Sequence, residues 1–197
     1  MNKEMLRKIA FALTMITFVT VPAMMITRYE GVMADGKLFR FHCMPVDPYD
    51  SFRGKYVALS FTEEEVARSL VRDSISQDEN VYVTVIKNSD GFAQVTDVSH
   101  SSAMGPDYFI AKVRWAGPDN VMLEFPFKRY YMNEELAPLA EKAYRKASGS
   151  WWDRGKGSSV YTDVRIQDGT PVIEQIYIQD KTLKKYLEDF TGETLQH

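Results

Sequence analysis

The chain has 197 residues, 45% hydrophobic and 26% charged, which suits one globular body plus a segment of another kind. A formal net charge of -3, with no long basic run, leaves nucleic acid without an electrostatic footprint. The single cysteine, Cys43, excludes an internal disulfide, and with only His42, His100 and His197 beside it no tetrahedral zinc set is spaced along the sequence, so neither a metal nor another cofactor is expected.

"MNKEMLRK" opens the chain with net positive charge, and "IAFALTMITFVTVPAMMI", Ile9 to Ile26, follows without a single charge. As a helix that run extends roughly 27 Å, close to the ~30 Å hydrocarbon core of a bilayer. Arg7, Lys8 and Arg28 flank it and can snorkel at its two ends. "VPA" also fits the end of a cleavable signal. The run is longer than a usual signal core, however, and bulky Met24, Met25 and Ile26 follow Ala23, so a retained anchor is the expectation. Lys3, Arg7 and Lys8 hold the N-terminus in the cytoplasm, which leaves the body outside the inner membrane. The expected division is an anchor over 1–28 and an extracytoplasmic domain over 29–197.

After the anchor, 29–37 reads as an exit loop and "LFRFHCM" as a first strand ended by Pro45 and Pro48. Asp47, Asp50 and Ser51 can fold onto nearby amides and Gly54 can take positive φ, so the stretch up to Arg53 and Gly54 is a corner. "KYVALSF" follows as a strand, with Tyr56, Ala58 and Ser60 on one face and Val57, Leu59 and Phe61 on the other. "TEEEVARSLVR" changes the period and predicts a helix over 62–72, with Thr62 and Glu65 as a capping box. "DSISQDEN" is a polar linker.

Three hairpins come next, turning at Asp90-Gly91, at Gly117 to Asn120, and at Asp168-Gly169. Between the second and third lies an amphipathic helix capped by Asn133, with Leu136, Leu139, Ala140, Ala143 and Tyr144 as its apolar stripe. "SGSWWDRGKGSS" is a loop, and Leu183, Tyr186, Leu187 and Phe190 mark a last helix. The fold class is therefore mainly β (α+β). It has about eight strands in an antiparallel, twisted or barrel-like sheet with two or three peripheral helices, preceded by one transmembrane helix.

Read for chemistry, the chain offers little that converges. Cys43 lacks a base: His42 is its neighbour on the opposite face of a strand, and His100 is the one remaining partner. The span, "CMP" and an Arg-Gly strand faintly resemble type I signal peptidases, but Lys87 and Lys112 are generic strand residues. The glycines of "SGSWWDRGKGSS" do not have P-loop spacing. Arg53 and Lys55 beside Tyr49, Phe52 and Tyr56 offer cationic and aromatic contacts to a partner or to headgroups. Arg129, Tyr130, Tyr131, Glu135, Trp151 and Trp152 form a candidate binding surface, with Arg129 beside Glu134 and Glu135 also readable as a surface ion pair.

"RGKYVALSF" after the Asp47-to-Arg53 turn, "KRYYMNEELAPLAEKA" and the order of hairpins resemble the GDYXXLXY protein family, over roughly 40–180. That family is a group of bacterial membrane-anchored proteins without an assigned activity. On this likeness Asp47, Pro48, Asp50, Arg53, Gly54, Tyr56, Leu59 and Phe61 are the signature positions. Lys55 stands where the family has Asp, and Phe61 where it has Tyr. The resemblance implies an anchor in the bacterial inner membrane, a domain in the periplasm or outside the cell, and association with a multi-pass membrane protein. It carries over no catalytic residue. The expected role is a non-enzymatic accessory or interaction domain. The alternatives are a periplasmic domain binding a small ligand or envelope component, and a signal-peptidase-like or Cys-dependent hydrolase.

Overall fold

The structure, a computed structural model, describes residues 3–45, 56–133, 136–149 and 159–194. Helix α1 (Lys3–Asp35) carries the uncharged run, and among the described residues it is the one helix long and apolar enough to cross a membrane. Along the uncharged run its side chains stand outward, with Phe11 and Phe18 65% and 78% exposed. The hydroxyls of Thr14, Thr17 and Thr27 donate back to the carbonyls of Ala10, Leu13 and Met24, which removes three polar donors from an apolar surround.

The predicted exit loop is corrected: the helix runs on to Asp35 because its last turns are held by the body. Val32 is 2% exposed, Arg28 Nη2 donates to Thr170 Oγ1 at 2.6 Å, and Arg165 Nη1 donates to the Gly36 carbonyl at 3.0 Å. Burial of one apolar side chain and two anchored ends outweigh the loop-forming tendency of Gly31 and Gly36.

Strand β1 (Lys37–Met44) follows directly and pairs antiparallel with β10 (Val160–Gln167). The signature strand is split at Leu59 into β2 (Tyr56–Ala58) and β3 (Ser60–Phe61), because its two halves join different partners. β3 pairs with β1, and β2 pairs with β9 (Arg129–Tyr131). The predicted alternation holds across the break: Val57, Leu59 and Phe61 are buried, and Tyr56, Ala58 and Ser60 are half-buried.

The predicted helix over 62–72 is absent. In its place are a 3-10 turn (Thr62–Glu64), strand β4 (Glu65–Ala67) and a second 3-10 turn (Arg68–Leu70). Val66 is drawn into register with Val121 of β8 (Asn120–Glu124), and Glu64 turns inward to serve backbone amides, so tertiary pairing overrides the helical period. All three hairpins form. They are β5 (Asn80–Lys87) with β6 (Ala93–Ser99), β7 (Tyr108–Ala116) with β8, and β10 with β11 (Thr170–Ile178). At the last turn Asp168 and Gly169 take φ of 47° and 74°, the left-handed pair that a two-residue hairpin loop requires.

The described strands number twelve rather than eight, the last being β12 (Lys181–Thr182), since pairing cuts the chain into shorter pieces than periodicity reveals. Their orders are β12-β11-β10-β1-β3, β2-β9 and β4-β8-β7-β5-β6, curled into a nearly closed, barrel-like sheet. Five phenylalanines fill it. Phe109 and Phe125 meet edge to face at 4.9 Å, and Phe41 lies 5.2 Å from Phe127 and 5.8 Å from Phe61.

Two helices close the end of the barrel away from α1. Helix α2 (Ala137–Ala147) begins three residues later than a cap at Asn133 suggests, which seats Pro138 in its first turn, where a missing N–H costs nothing. Ala140, Ala143 and Tyr144 are buried as predicted, while Leu136 is 40% exposed. Tyr144 donates its hydroxyl to the Met44 carbonyl at 2.5 Å, tying α2 to the end of β1. Helix α3 (Leu183–Thr194) buries Leu183 and Leu187.

Candidate functional site

β1 fixes an axis for the molecule. It starts where α1 ends and runs about 23 Å at strand rise to Met44. The signature strand, β9 and α2 all attach at that far end. Tyr56 and Tyr131 are cross-strand partners with rings 5.7 Å apart, and the guanidinium of Arg129 lies 5.1 Å from the centre of the Tyr56 ring. Tyr131 is 67% exposed. Tyr130 points the other way and is half-buried, and burial pushes its hydroxyl above the ordinary tyrosine range.

Beside this patch lies an open cleft of about 430 Å³, lined on one wall by Lys128, Arg129 and Tyr131 and on the other by Asn80, Lys112 and Glu124. Lys112 Nζ is 2.7 Å from Asp78, and Lys128 Nζ is 3.3 Å from Glu124. The structure thus brings together Tyr56, Arg129 and Tyr131, while Leu59 and Phe61 are core residues, 3% and 1% exposed. Asp47, Pro48, Asp50, Arg53, Gly54, Glu135, Trp151 and Trp152 lie outside the described residues, as do Tyr49, Phe52, Lys55 and Glu134.

Glu64 is the polar pin under the patch. Its carboxylate accepts from Ser60 Oγ at 3.0 Å, from Phe61 N at 3.2 Å and from Phe125 N at 3.0 Å, with Lys128 Nζ at 3.7 Å. One buried side chain therefore holds β3 against the segment that leads from β8 into β9.

Cys43 has no exposed surface, and its Sγ sits 3.0 Å from Thr162 Oγ1. Burial pushes its thiol up to about 12. Buried, and with burial favouring the neutral thiol, Cys43 has the surroundings of a structural cysteine rather than of an activated nucleophile. His42 faces away from Cys43, and His100 is exposed in the loop after β6, where its backbone amide donates to Asp73. The bond from Ser99 and those of the following amides hold the Asp73 carboxyl below its usual range.

Sequence reasoning missed one cluster. His42 Nδ1 lies 2.9 Å from Glu63 Oε1, the His42 amide donates to the same oxygen at 3.1 Å, and the imidazole stacks 3.8 Å from Phe92. Phe92 meets Tyr161 edge to face, and Arg40 bridges from the Tyr161 ring to Asp163 Oδ1. Glu63 Oε2 is buried without a hydrogen-bond partner. Period-2 alternation put His42 on the outer face of β1. Nothing local in the sequence points to Glu63, which a helix would have left in solvent.

The profile of the family described as GDYXXLXY protein matches residues 18–176, most of the chain. No curated protein and no solved structure matches it.

Proposed function

The chain belongs to the GDYXXLXY family, and on that footing we propose that it is a membrane-anchored accessory domain, non-enzymatic, which works in the periplasm beside an integral membrane partner. The observation that carries this reading is the joint between α1 and the barrel. The helix passes from its uncharged run into the body without a flexible linker, fixed by Val32, Arg28–Thr170 and Arg165–Gly36. A free-standing enzyme acting on soluble substrates gains nothing from such a joint. A domain that must present one surface in one direction does. The surface is the Tyr56–Arg129–Tyr131 patch, roughly 20–35 Å above the end of the uncharged run by helix and strand rise, so the partner must itself reach out of the membrane. The test is capture of the full chain in mild detergent. A specific polytopic protein is recovered, and it is lost with Arg129→Ala and Tyr131→Ala while the melting temperature stays unchanged. Recovery that is indifferent to both substitutions refutes the assigned surface.

The cleft beside the patch favours a second reading, a binding domain for a small envelope-derived ligand with anionic groups, since Lys112, Lys128 and Arg129 outnumber Glu124 on its walls. A ligand selective for the folded state raises the melting temperature, with a stabilisation that grows as the logarithm of its concentration over Kd. A screen of anionic sugars and carboxylates that gives no shift removes this reading.

A further inference from the structure

The base of the barrel carries a feature that the distal patch does not use. Arg28 stands two residues past the uncharged run, about 3 Å along the helix axis. One of its five N–H donors goes to Thr170 Oγ1 at 2.6 Å, and among the described residues no carboxylate pairs with it. Thr170 follows the Asp168-Gly169 turn, so the tip of the β10–β11 hairpin stands level with the end of the run. The tip is not free to swing away. Phe109 forms a bridge to Gly169, and the Tyr108 ring lies 2.9 Å from where a Gly169 Cβ would be. Tyr29, beside Arg28, is 47% exposed, an aromatic at the depth where such rings favour an interface.

We propose that Arg28 and the tip of the β10–β11 hairpin form a seat for a phospholipid headgroup, with the guanidinium taking the phosphate and the tip resting in the headgroup layer. This rests on α1 crossing the bilayer. Guanidinium geometry matches phosphate in a bidentate way, and the donors that Thr170 leaves over are available for it. Asp168, exposed at the tip, carries the opposite sign. The pair therefore suits a zwitterionic headgroup, with phosphate towards Arg28 and ammonium towards Asp168, rather than an anionic patch. Because the anchor already holds the tip at the surface, a weak contact is enough to be occupied. The consequence is a barrel seated on the membrane in one orientation, with the signature strand pointing away from it.

The test places an environment-sensitive fluorophore on full-length Asp168→Cys in phosphatidylcholine vesicles containing a headgroup-attached nitroxide. Gln167→Cys is a second site in case the left-handed position resists substitution, and Lys142→Cys on α2 is the distant reference. Buried Cys43 stays unlabelled. The expected result is quenching at 168 and 167 about twofold or more above that at 142, with Arg28→Gln reducing the difference. Quenching at 168 and 167 no greater than at 142, in protein that still resists alkaline extraction, overturns the seat and leaves the anchor intact. Release of the protein by alkali overturns both.

Discussion

Replacing Glu64 with alanine removes the acceptor of two buried amides, those of Phe61 and Phe125. An unpartnered buried N–H costs about 1–3 kcal/mol, so the pair costs about 2–6 kcal/mol, against a typical domain stability of ~5–15 kcal/mol. Lys128 keeps Glu124 at 3.3 Å, so no stranded charge adds to this. For a body of this size each kcal/mol lowers the melting temperature by about 2–4 °C, which predicts a fall of roughly 5–20 °C. Glu64→Gln keeps one acceptor oxygen but turns its amide nitrogen towards the other donor, so its loss should be smaller and clearly measurable. Near-ultraviolet circular dichroism of the full chain in mild detergent reads the barrel, since α1 contributes little there. A fall of under ~2 °C for Glu64→Ala would mean that these amides find other partners and that the pin is not structural.

Cys43 should resist a thiol reagent at neutral pH in the native protein and react fully in denaturant. With its folded value near 12 and an unfolded value near 8.5, its contribution is present below the unfolded value and is lost as pH rises towards the folded one. Cys43→Ala should therefore lose less stability than the parent between pH 8 and pH 11, by an amount on the order of 1–3 kcal/mol, and parallel alkaline denaturation curves would contradict this. Gly169→Val forces a β-branched residue to φ near 74° against the Tyr108 ring, and should cost about 1–3 kcal/mol in denaturant melts; a neutral result would mean that the turn relaxes freely. Val32→Asp puts a charge into the helix–barrel contact, so hydrogen exchange at the Gly36 amide should rise on the order of tenfold or more, one 1.4 kcal/mol step. Unchanged exchange would show that the joint does not depend on this contact.

The hairpins and the long apolar N-terminal helix were legible because their signals are local: Asp-Gly turns between alternating runs, and eighteen uncharged residues in a row. Residues 62–72 were not, because three glutamates before Val66 satisfy helix-start chemistry, and only the distant amide of Phe125 explains why Glu64 goes inward. The continuation of α1 to Asp35 depends on Thr170 and Arg165, more than a hundred residues away in the chain. Alternation alone separated His42 from Cys43 and placed Val57, Leu59 and Phe61 together on one face, which is the face the structure buries. It could not reveal that Leu59 is where one strand changes partners. Of the candidate surface, Arg129 and Tyr131 were readable as an exposed cation and aromatic, but their approach to Tyr56 follows from the β2–β9 pairing. The His42–Glu63 contact needed the loss of a predicted helix to appear at all.

We propose that α1 stays in the membrane and holds the barrel on its outer side. Lys142 on α2 is exposed at the end of the barrel away from α1, and the native thiol is buried, so Lys142→Cys supplies a single reporter. Labelling intact cells with a membrane-impermeant maleimide, followed by alkaline washing of the membranes, should give labelled protein in the washed pellet without prior permeabilisation. Label acquired only after the cells are opened, or labelled protein in the soluble fraction, would contradict the account.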